Sequence, residues 1–269
     1  MPTIHNRQGV FMVGESNHNN QPDKILFPPL YHAHHKTFTS DIPFWLDLAR
    51  GQGSPIIELG CGTGRVLIPL AEAGYTVYGL DIDLEMLAFC HQQLPLALTA
   101  KVNTILADLT SFYFEIRFPL VLLPCNTYST LSARSRKSAL ACIYSHLSPG
   151  GLFAVSVPNP TILSQLESSK NPEIETIFTH PTNGNPVQVS YRSRRTSQKV
   201  ILEWYYDQLL PNGFVERFQV SIRHRLTTKA DYLQEFAQSG YAVTATYGDF
   251  DYSPLRHDSP NLVIVAKKI

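Results

Sequence analysis

The stretch Ile56-Ile57-Glu58-Leu59-Gly60-Cys61-Gly62-Thr63-Gly64 decides the fold. Its first four residues read as a short apolar strand carrying one acid. Three alternate glycines follow, and residues 65–73 then read as a helix closed by Gly74. Glycines at this spacing let the chain turn sharply out of a strand and let a ligand approach where a Cβ would collide. Backbone N–H groups at the start of the next helix would face that ligand. Pro69 lies beyond the expected first turn of this helix, where it should kink it or loosen a turn.

The pattern repeats on the C-terminal side. Residues 75–80, 102–107, 118–124 and 152–157 read as strands, with helices over 83–94 and 133–147 and a Ser148-Pro149-Gly150-Gly151 turn before the last strand. Apolar strands alternating with helices of this length predict βαβ units and a parallel sheet covered on both faces. Upstream, residues 37–50 place Ile42, Trp45, Leu46 and Ala49 at helical intervals, and Gly51, Gly53 and Pro55 stop that helix. Residues 1–30, rich in Asn, Gln and Pro, read as a loose arm, and residues 31–160 as the ligand-binding core.

Beyond Pro160 the rhythm breaks. Three strand-like segments, beginning at Pro186, Lys199 and Phe214, are separated by Thr196-Ser197 and Pro211-Asn212-Gly213. Such hairpin-length connections predict an antiparallel insertion within residues 161–227. A helix over 229–238, with Thr228 and Asp231 spaced as a capping box, and strands over 242–247 and 261–266 return the chain to the core in residues 228–269. The expected architecture is a doubly wound α/β fold. Its seven-stranded sheet is mostly parallel with one antiparallel strand, and a small antiparallel β insertion is attached.

Acids close the next two strands: Gly79-Leu80-Asp81 ends the second, 21 positions after Gly60, and Ala107-Asp108-Leu109 ends the third. A carboxylate at the second strand end can accept from both hydroxyls of a ribose. One at the third can accept from an adenine amino group, with an apolar neighbour against the ring. The glycine loop differs from a dinucleotide fingerprint, because its third glycine comes one residue early and an acid precedes it. Glu58 would repel a diphosphate but suits a ligand carrying an ammonium or sulfonium group.

The run ELGCGTGRVLIPLAEAGYTVYGLDIDLEML, with ADLTSF, LLPCNTYSTL and HLSPGGLFAVSVPNP, resembles the motifs of class I S-adenosylmethionine-dependent methyltransferases. The similarity spans about residues 31–160. It implies S-adenosylmethionine as cofactor, with Gly60, Cys61, Gly62 and Gly64 beneath the methionyl part and Glu58 near its ammonium group. It further implies Asp81 and Ile82 at the ribose, Asp108 and Leu109 framing the adenine, and Tyr31 closing over the cofactor. Glycine and amino-sugar N-methyltransferases are the most similar pattern within the class, so a small-metabolite acceptor is expected, methylated at oxygen or nitrogen. Phe118-Pro119 stands where the family often has Phe-Asp, a structural position. Pro124-Cys125-Asn126-Thr127-Tyr128 lacks the signature of enzymes that methylate nucleobase amino groups.

Asn126 and Tyr128, after the fourth strand, and His32, in the cluster Tyr31-His32-Ala33-His34-His35, are the candidate catalytic residues. His34, His35, His224 and His257 are further possible bases. No metal is expected, since no carboxylate or cysteine accompanies the histidines. Trp204, Tyr205 and Tyr206 could wall an acceptor pocket, but strand alternation sends Tyr205 to the opposite face. Lys and Arg total 22 against 22 Asp and Glu, so no broad positive field draws in nucleic acid or a membrane. Four scattered cysteines form no Cys-x-x-Cys pair, and no apolar run approaches a membrane span. A soluble cytoplasmic enzyme is expected, with a homodimer admitted. The alternatives are a methyltransferase acting on a peptide, protein or RNA, and a non-catalytic cofactor-binding module.

Overall fold

A computed structural model describes residues 27–269, so most of the expected N-terminal arm lies outside the described residues. Helices α1 (Phe27–His35) and α2 (Ile42–Gln52) precede the alternation β1 (Ile56–Leu59), α3 (Leu67–Glu72), β2 (Val77–Asp81), α4 (Leu84–Gln93), β3 (Val102–Leu106) and β4 (Phe118–Leu123). Then come α5 (Thr127–Thr130), α6 (Ala133–His146), β5 (Leu147–Pro158) and α7 (Pro160–Gln165). The remainder is β6 (Glu173–Thr179), β7 (Pro186–Arg195), β8 (Lys199–Leu209), β9 (Val215–Arg225), α8 (Lys229–Gln238), β10 (Tyr241–Tyr247) and β11 (Asn261–Lys268).

The main sheet has seven strands in the order β10-β11-β5-β4-β1-β2-β3, and β11 alone runs antiparallel to its neighbours. Strand β1 lies between β2 and β4, both parallel to it, so the strand order reverses there. In an open α/β sheet that reversal leaves a crevice at the carboxyl ends of the strands, where ligands bind. Alternate residues supply the two cores, as the period of two in a strand requires. Ile57, Val121, Phe153 and Leu262 face one layer; Ile56, Leu122, Ala154 and Val263 face the other. The second sheet is antiparallel, ordered β6-β7-β8-β9, and buries Val189, Leu202, Trp204 and Tyr206 against Leu30 of α1 and Leu163 of α7.

Four local readings change. Residues 27–30, expected in the arm, open α1. The helix expected over 65–73 starts only at Leu67, so Pro69 falls in its first turn, where no intrahelical N–H partner is required. Strand β6 escaped the sequence reading because it is a half-exposed edge whose polar residues break the alternation. Strand β5 begins at Leu147 and takes in the expected turn 148–151. The capping box at Thr228 and Asp231 forms as expected, and no helix among the described residues is long and apolar enough to cross a membrane.

Helices α6 and α8 are tied by Arg136, which donates from Nε (2.8 Å) and Nη2 (2.6 Å) to the two carboxylate oxygens of Glu235 between the rings of Tyr128 and Tyr232. The Arg136 side chain is 4% exposed. Removing one partner of such a pair strands a buried charge, at a cost of about 3–5 kcal/mol. Urea unfolding of Glu235→Ala is expected to show a loss of that order. Asp207→Ala, which frees the largely exposed Arg217, should lose about 1 kcal/mol or less.

Candidate active site

The site is assembled where β1 ends. The amides of Gly60 and Cys61 both donate to the Leu80 carbonyl (2.6 and 3.1 Å), pulling the glycine loop onto the end of β2. The Gly62 amide donates to Asp81 Oδ2 at 2.7 Å, and the Asp83 amide to Asp81 Oδ1 at 2.9 Å. Asp81 is buried; burial raises its pKa, opposed by these backbone hydrogen bonds. Gly62 and Gly64 have φ of +52° and +85°. A Cβ on Gly64 would come within 2.6 Å of Cys90 Sγ, so the loop can pass only as glycine there. Cys61 turns its thiol into the core, against Gly79, where a Cβ would lie 2.8 Å from the sulfur. Its contribution to the loop is therefore backbone.

Beside this loop opens a cavity of about 460 Å³. Gly60, Asp81, Ile82, Asp108 and Leu109 line it together. Asp108 Oδ1 is held by the amide and hydroxyl of Thr110 (both 2.8 Å). Ile82 is 62% exposed, an apolar side chain left uncovered at the cavity wall. Two carboxylates and two branched apolar side chains at successive strand ends fit an adenosyl group: acceptors for ribose hydroxyls and an adenine amino group, and apolar contact for the ring faces. The lining extends beyond these motifs. Thr127 and Thr130 come from α5, Ser132 and Ser135 from the start of α6, and Lys199, Arg223 and Arg225 from the second sheet.

Helix α1 packs over the glycine loop. Tyr31 lies within electrostatic reach of Arg65, Cys125 and Asp81, and burial, then Cys125, holds its phenol well above the usual pKa. His32 Nδ1 sits 3.2 Å from Thr63 Oγ1 and its ring meets Phe89, so it clamps the helix onto the glycine loop. Burial, then Lys36, lowers its pKa. His34 bonds to the Tyr206 hydroxyl at 2.9 Å, and the ring of His35 packs on Tyr31. No His, Cys, Asp or Glu group able to hold a metal occurs among the described residues. Arg65, unnoticed in the sequence, donates to both Asp41 oxygens (2.6 and 2.7 Å), to the Phe38 carbonyl and to Cys125 Sγ.

Asn126 is buried at the turn after β4, where Cys125 and Asn126 both adopt left-handed φ (61° and 65°). Tyr128 does not line the cavity. Its ring is fully buried in the core and its hydroxyl meets Glu235 at 3.3 Å, because the short helix α5 turns Thr127 and Thr130 outward instead. Trp204 and Tyr206 face inward and Tyr205 faces away, between Arg192 and Arg217, as alternation requires.

Three buried side-chain atoms have no hydrogen-bond partner among the described residues: Glu58 Oε2, Asn126 Oδ1 and His224 Nε2. Burial pushes the Glu58 pKa well up, with Arg65 opposing. An unpartnered carboxylate oxygen behind a glycine loop is what a ligand ammonium group would satisfy.

Residues 56–151 match the model of the methyltransferase domain. They form a methyltransferase domain. A putative methyltransferase of Bacillus subtilis (strain 168) is 22% identical over 227 residues, 83% of this chain and 88% of that protein. A dTDP-3-amino-3,6-dideoxy-alpha-D-glucopyranose N,N-dimethyltransferase of Streptomyces fradiae is 24% identical over 193 residues, 71% of each chain. Among solved structures, an S-adenosylmethionine-dependent methyltransferase from Clostridium acetobutylicum ATCC 824 superposes with a TM-score of 0.74 at 15% identity, covering 89% of this chain and 97% of that one. An amino pentose methyltransferase from Micromonospora echinaspora, solved with S-adenosylmethionine, gives 0.69 at 19% identity over 95% of this chain and 100% of that one. The likeness of fold thus extends through the second sheet.

Two outcomes follow for this methyltransferase site. Gly64→Ala should cost roughly 2–4 kcal/mol of stability, from left-handed strain plus overpacking against Cys90. Gly62→Ala, with open space at its Cβ, should cost about 1–2 kcal/mol yet weaken S-adenosylhomocysteine binding; thermal melts and titrations on both variants check this. His224 is fully buried, and burial lowers its pKa from 6.5 to about 4. Between those values the unfolded chain binds the extra proton. Stability should therefore fall as pH drops from 6.5 to 4, by about 1.4 kcal/mol per unit from this group. In His224→Gln that part of the slope should vanish.

Proposed function

We propose that this chain transfers the methyl group of S-adenosylmethionine to nitrogen or oxygen of a small metabolite, with an amino sugar carried on an anionic group as the favoured acceptor. The observation that supports it most is the construction of the cavity. One wall is the cofactor motif, with Asp81 and Asp108; the other carries Lys199, Arg223 and Arg225 of the second sheet. Strand pairing sets Lys199 directly opposite Arg225 and Ile201 opposite Arg223. Like charges facing across strands, as Lys199 and Arg225 do, are destabilising. A cationic wall of this kind suits a ligand bearing negative charge. The Streptomyces fradiae relative is named for a dTDP-bound amino sugar, a molecule of that kind.

When bound, S-adenosylmethionine supplies a methyl group already activated by its sulfonium. The chain's own task is positioning. Asp81 would hold the ribose, Asp108 and Leu109 the adenine, and Glu58 the ammonium group. Helix α1, pinned by His32 and Tyr31, would exclude water. Alignment of two reactants in a closed site can contribute about 7–11 kcal/mol. We further propose action in the cytoplasm, where its cysteines, all free among the described residues, stay reduced.

Incubation with S-adenosylmethionine and dTDP-3-amino-3,6-dideoxyglucose should yield a product heavier by methyl, detected by mass spectrometry. Arg225→Ala should raise KM about tenfold, the effect of losing about 1.4 kcal/mol of binding, with kcat nearly unchanged. Absence of turnover with amino sugar nucleotides, in protein that binds S-adenosylhomocysteine, would refute this acceptor class.

A further inference from the structure

A second cavity, of about 510 Å³, opens beside the one at the glycine loop. Arg225 lines both. Lys199 and Ser132 line the first, and their chain neighbours Gln198 and Ala133 line the second. The two spaces therefore adjoin at Arg225, along a seam where the Leu226 amide donates to the Gln198 carbonyl at 2.9 Å. Arg225 is exposed, and strand pairing sets it opposite Lys199. The cofactor motif contributes nothing to the second cavity.

The two cavities differ in chemistry. The first carries three cations, Lys199, Arg223 and Arg225. The second carries the acids Asp231 and Glu235, both engaged within the protein. Asp231 accepts from the Thr228 amide (3.1 Å) and hydroxyl (2.7 Å), and Glu235 accepts from Arg136. The α8 lining otherwise consists of Gln234 and Gln238, exposed, four positions apart and so on one helix face. Gln198 adds a third amide, and each amide both donates and accepts. Apolar side chains there are limited to Ala133 and Leu226. Negative charge is thus favoured at the Arg225 seam and disfavoured beside the acids. An uncharged group with donors and acceptors suits the space beyond.

We infer that the second cavity is a nucleoside subsite, taking the base end of an acceptor whose diphosphate crosses the seam at Arg225. Two opposed cationic heads, Lys199 and Arg225, match two phosphate groups, and an anion on them relieves their repulsion. The base edge, a row of donors and acceptors, then meets the glutamine amides. Volume points the same way. The first cavity, about 460 Å³, is of a size for one small ligand, and an adenosyl group would occupy much of it. The far end of the acceptor needs a space of its own. The inference rests on the methyl-transfer reading and deepens it, making the anionic carrier a nucleoside diphosphate and naming the groups that select it.

The test is calorimetric titration of dTDP and of inorganic pyrophosphate into the full chain, with and without saturating S-adenosylhomocysteine. dTDP should bind about tenfold or more tightly than pyrophosphate. Replacing both glutamines of α8, Gln234→Ala with Gln238→Ala, should weaken dTDP about fivefold and leave pyrophosphate and S-adenosylhomocysteine affinities unchanged. Arg225→Ala should weaken dTDP and pyrophosphate by similar factors. Equal affinities for dTDP and pyrophosphate, no dTDP binding at all, or dTDP binding indifferent to the glutamine variant would overturn the subsite. Competition between dTDP and S-adenosylhomocysteine would also overturn it, by putting the nucleoside in the cofactor cavity. A chain that binds dTDP in the expected way but not S-adenosylhomocysteine would strike the methyl-transfer reading and leave the nucleoside subsite standing.

Discussion

Two backbone amides, those of Gly62 and Asp83, converge on the carboxylate of Asp81, and the cofactor site depends on that convergence. One amide belongs to the glycine loop after β1 and the other to the cap of α4. A single side chain thus fixes the spacing of two strand ends and one helix start. Hydrogen bonds to a charged acceptor contribute about 1.5–3 kcal/mol each, roughly twice a neutral pair. The loop has few other restraints at Gly62, where no atom would meet a Cβ. Asp81 therefore organises the cavity as well as lining it.

A second restraint acts from the opposite side. Arg65, immediately after the third glycine, reaches Asp41 before α2, the Phe38 carbonyl after α1, and Cys125 after β4. Trp45 completes the shell by donating to Asp41 at 2.9 Å. One guanidinium thus ties the glycine loop to the turn after α1, to the start of α2 and to the β4 corner. The second sheet closes the remaining side, supplying Tyr206 to His34 and His224 to Ser129.

The parts legible in the sequence are those set by local spacing. Apolar strands, glycines and acids at strand ends recur at intervals that the chain geometry converts directly into position. That is why Gly60, Asp81, Ile82, Asp108 and Leu109 meet in one cavity. What could not be read depends on contacts far apart in the chain. Tyr128 looked like an active-site residue because it follows β4. Its fate was decided by Glu235, 107 positions away, and by the aromatic layer of α8. Arg223 and Arg225 looked like ordinary strand charges until β8 and β9 paired in register and docked on the cavity. His224 was one histidine among several; only its pairing with Ser129, 95 positions away, sets it apart. Edge strand β6 lacked the alternation that burial imposes, so nothing local marked it.

The central claim is that the Asp81-anchored glycine loop holds S-adenosylmethionine. Its most direct test is calorimetric titration of S-adenosylhomocysteine into wild type and Asp81→Ala, with melting curves run beside it. Saturable binding by wild type, weakened by about 2 kcal/mol or more in a variant that still melts cooperatively, is the predicted result. Folded wild type that binds neither S-adenosylhomocysteine nor S-adenosylmethionine, or a variant that binds as tightly as wild type, would contradict it.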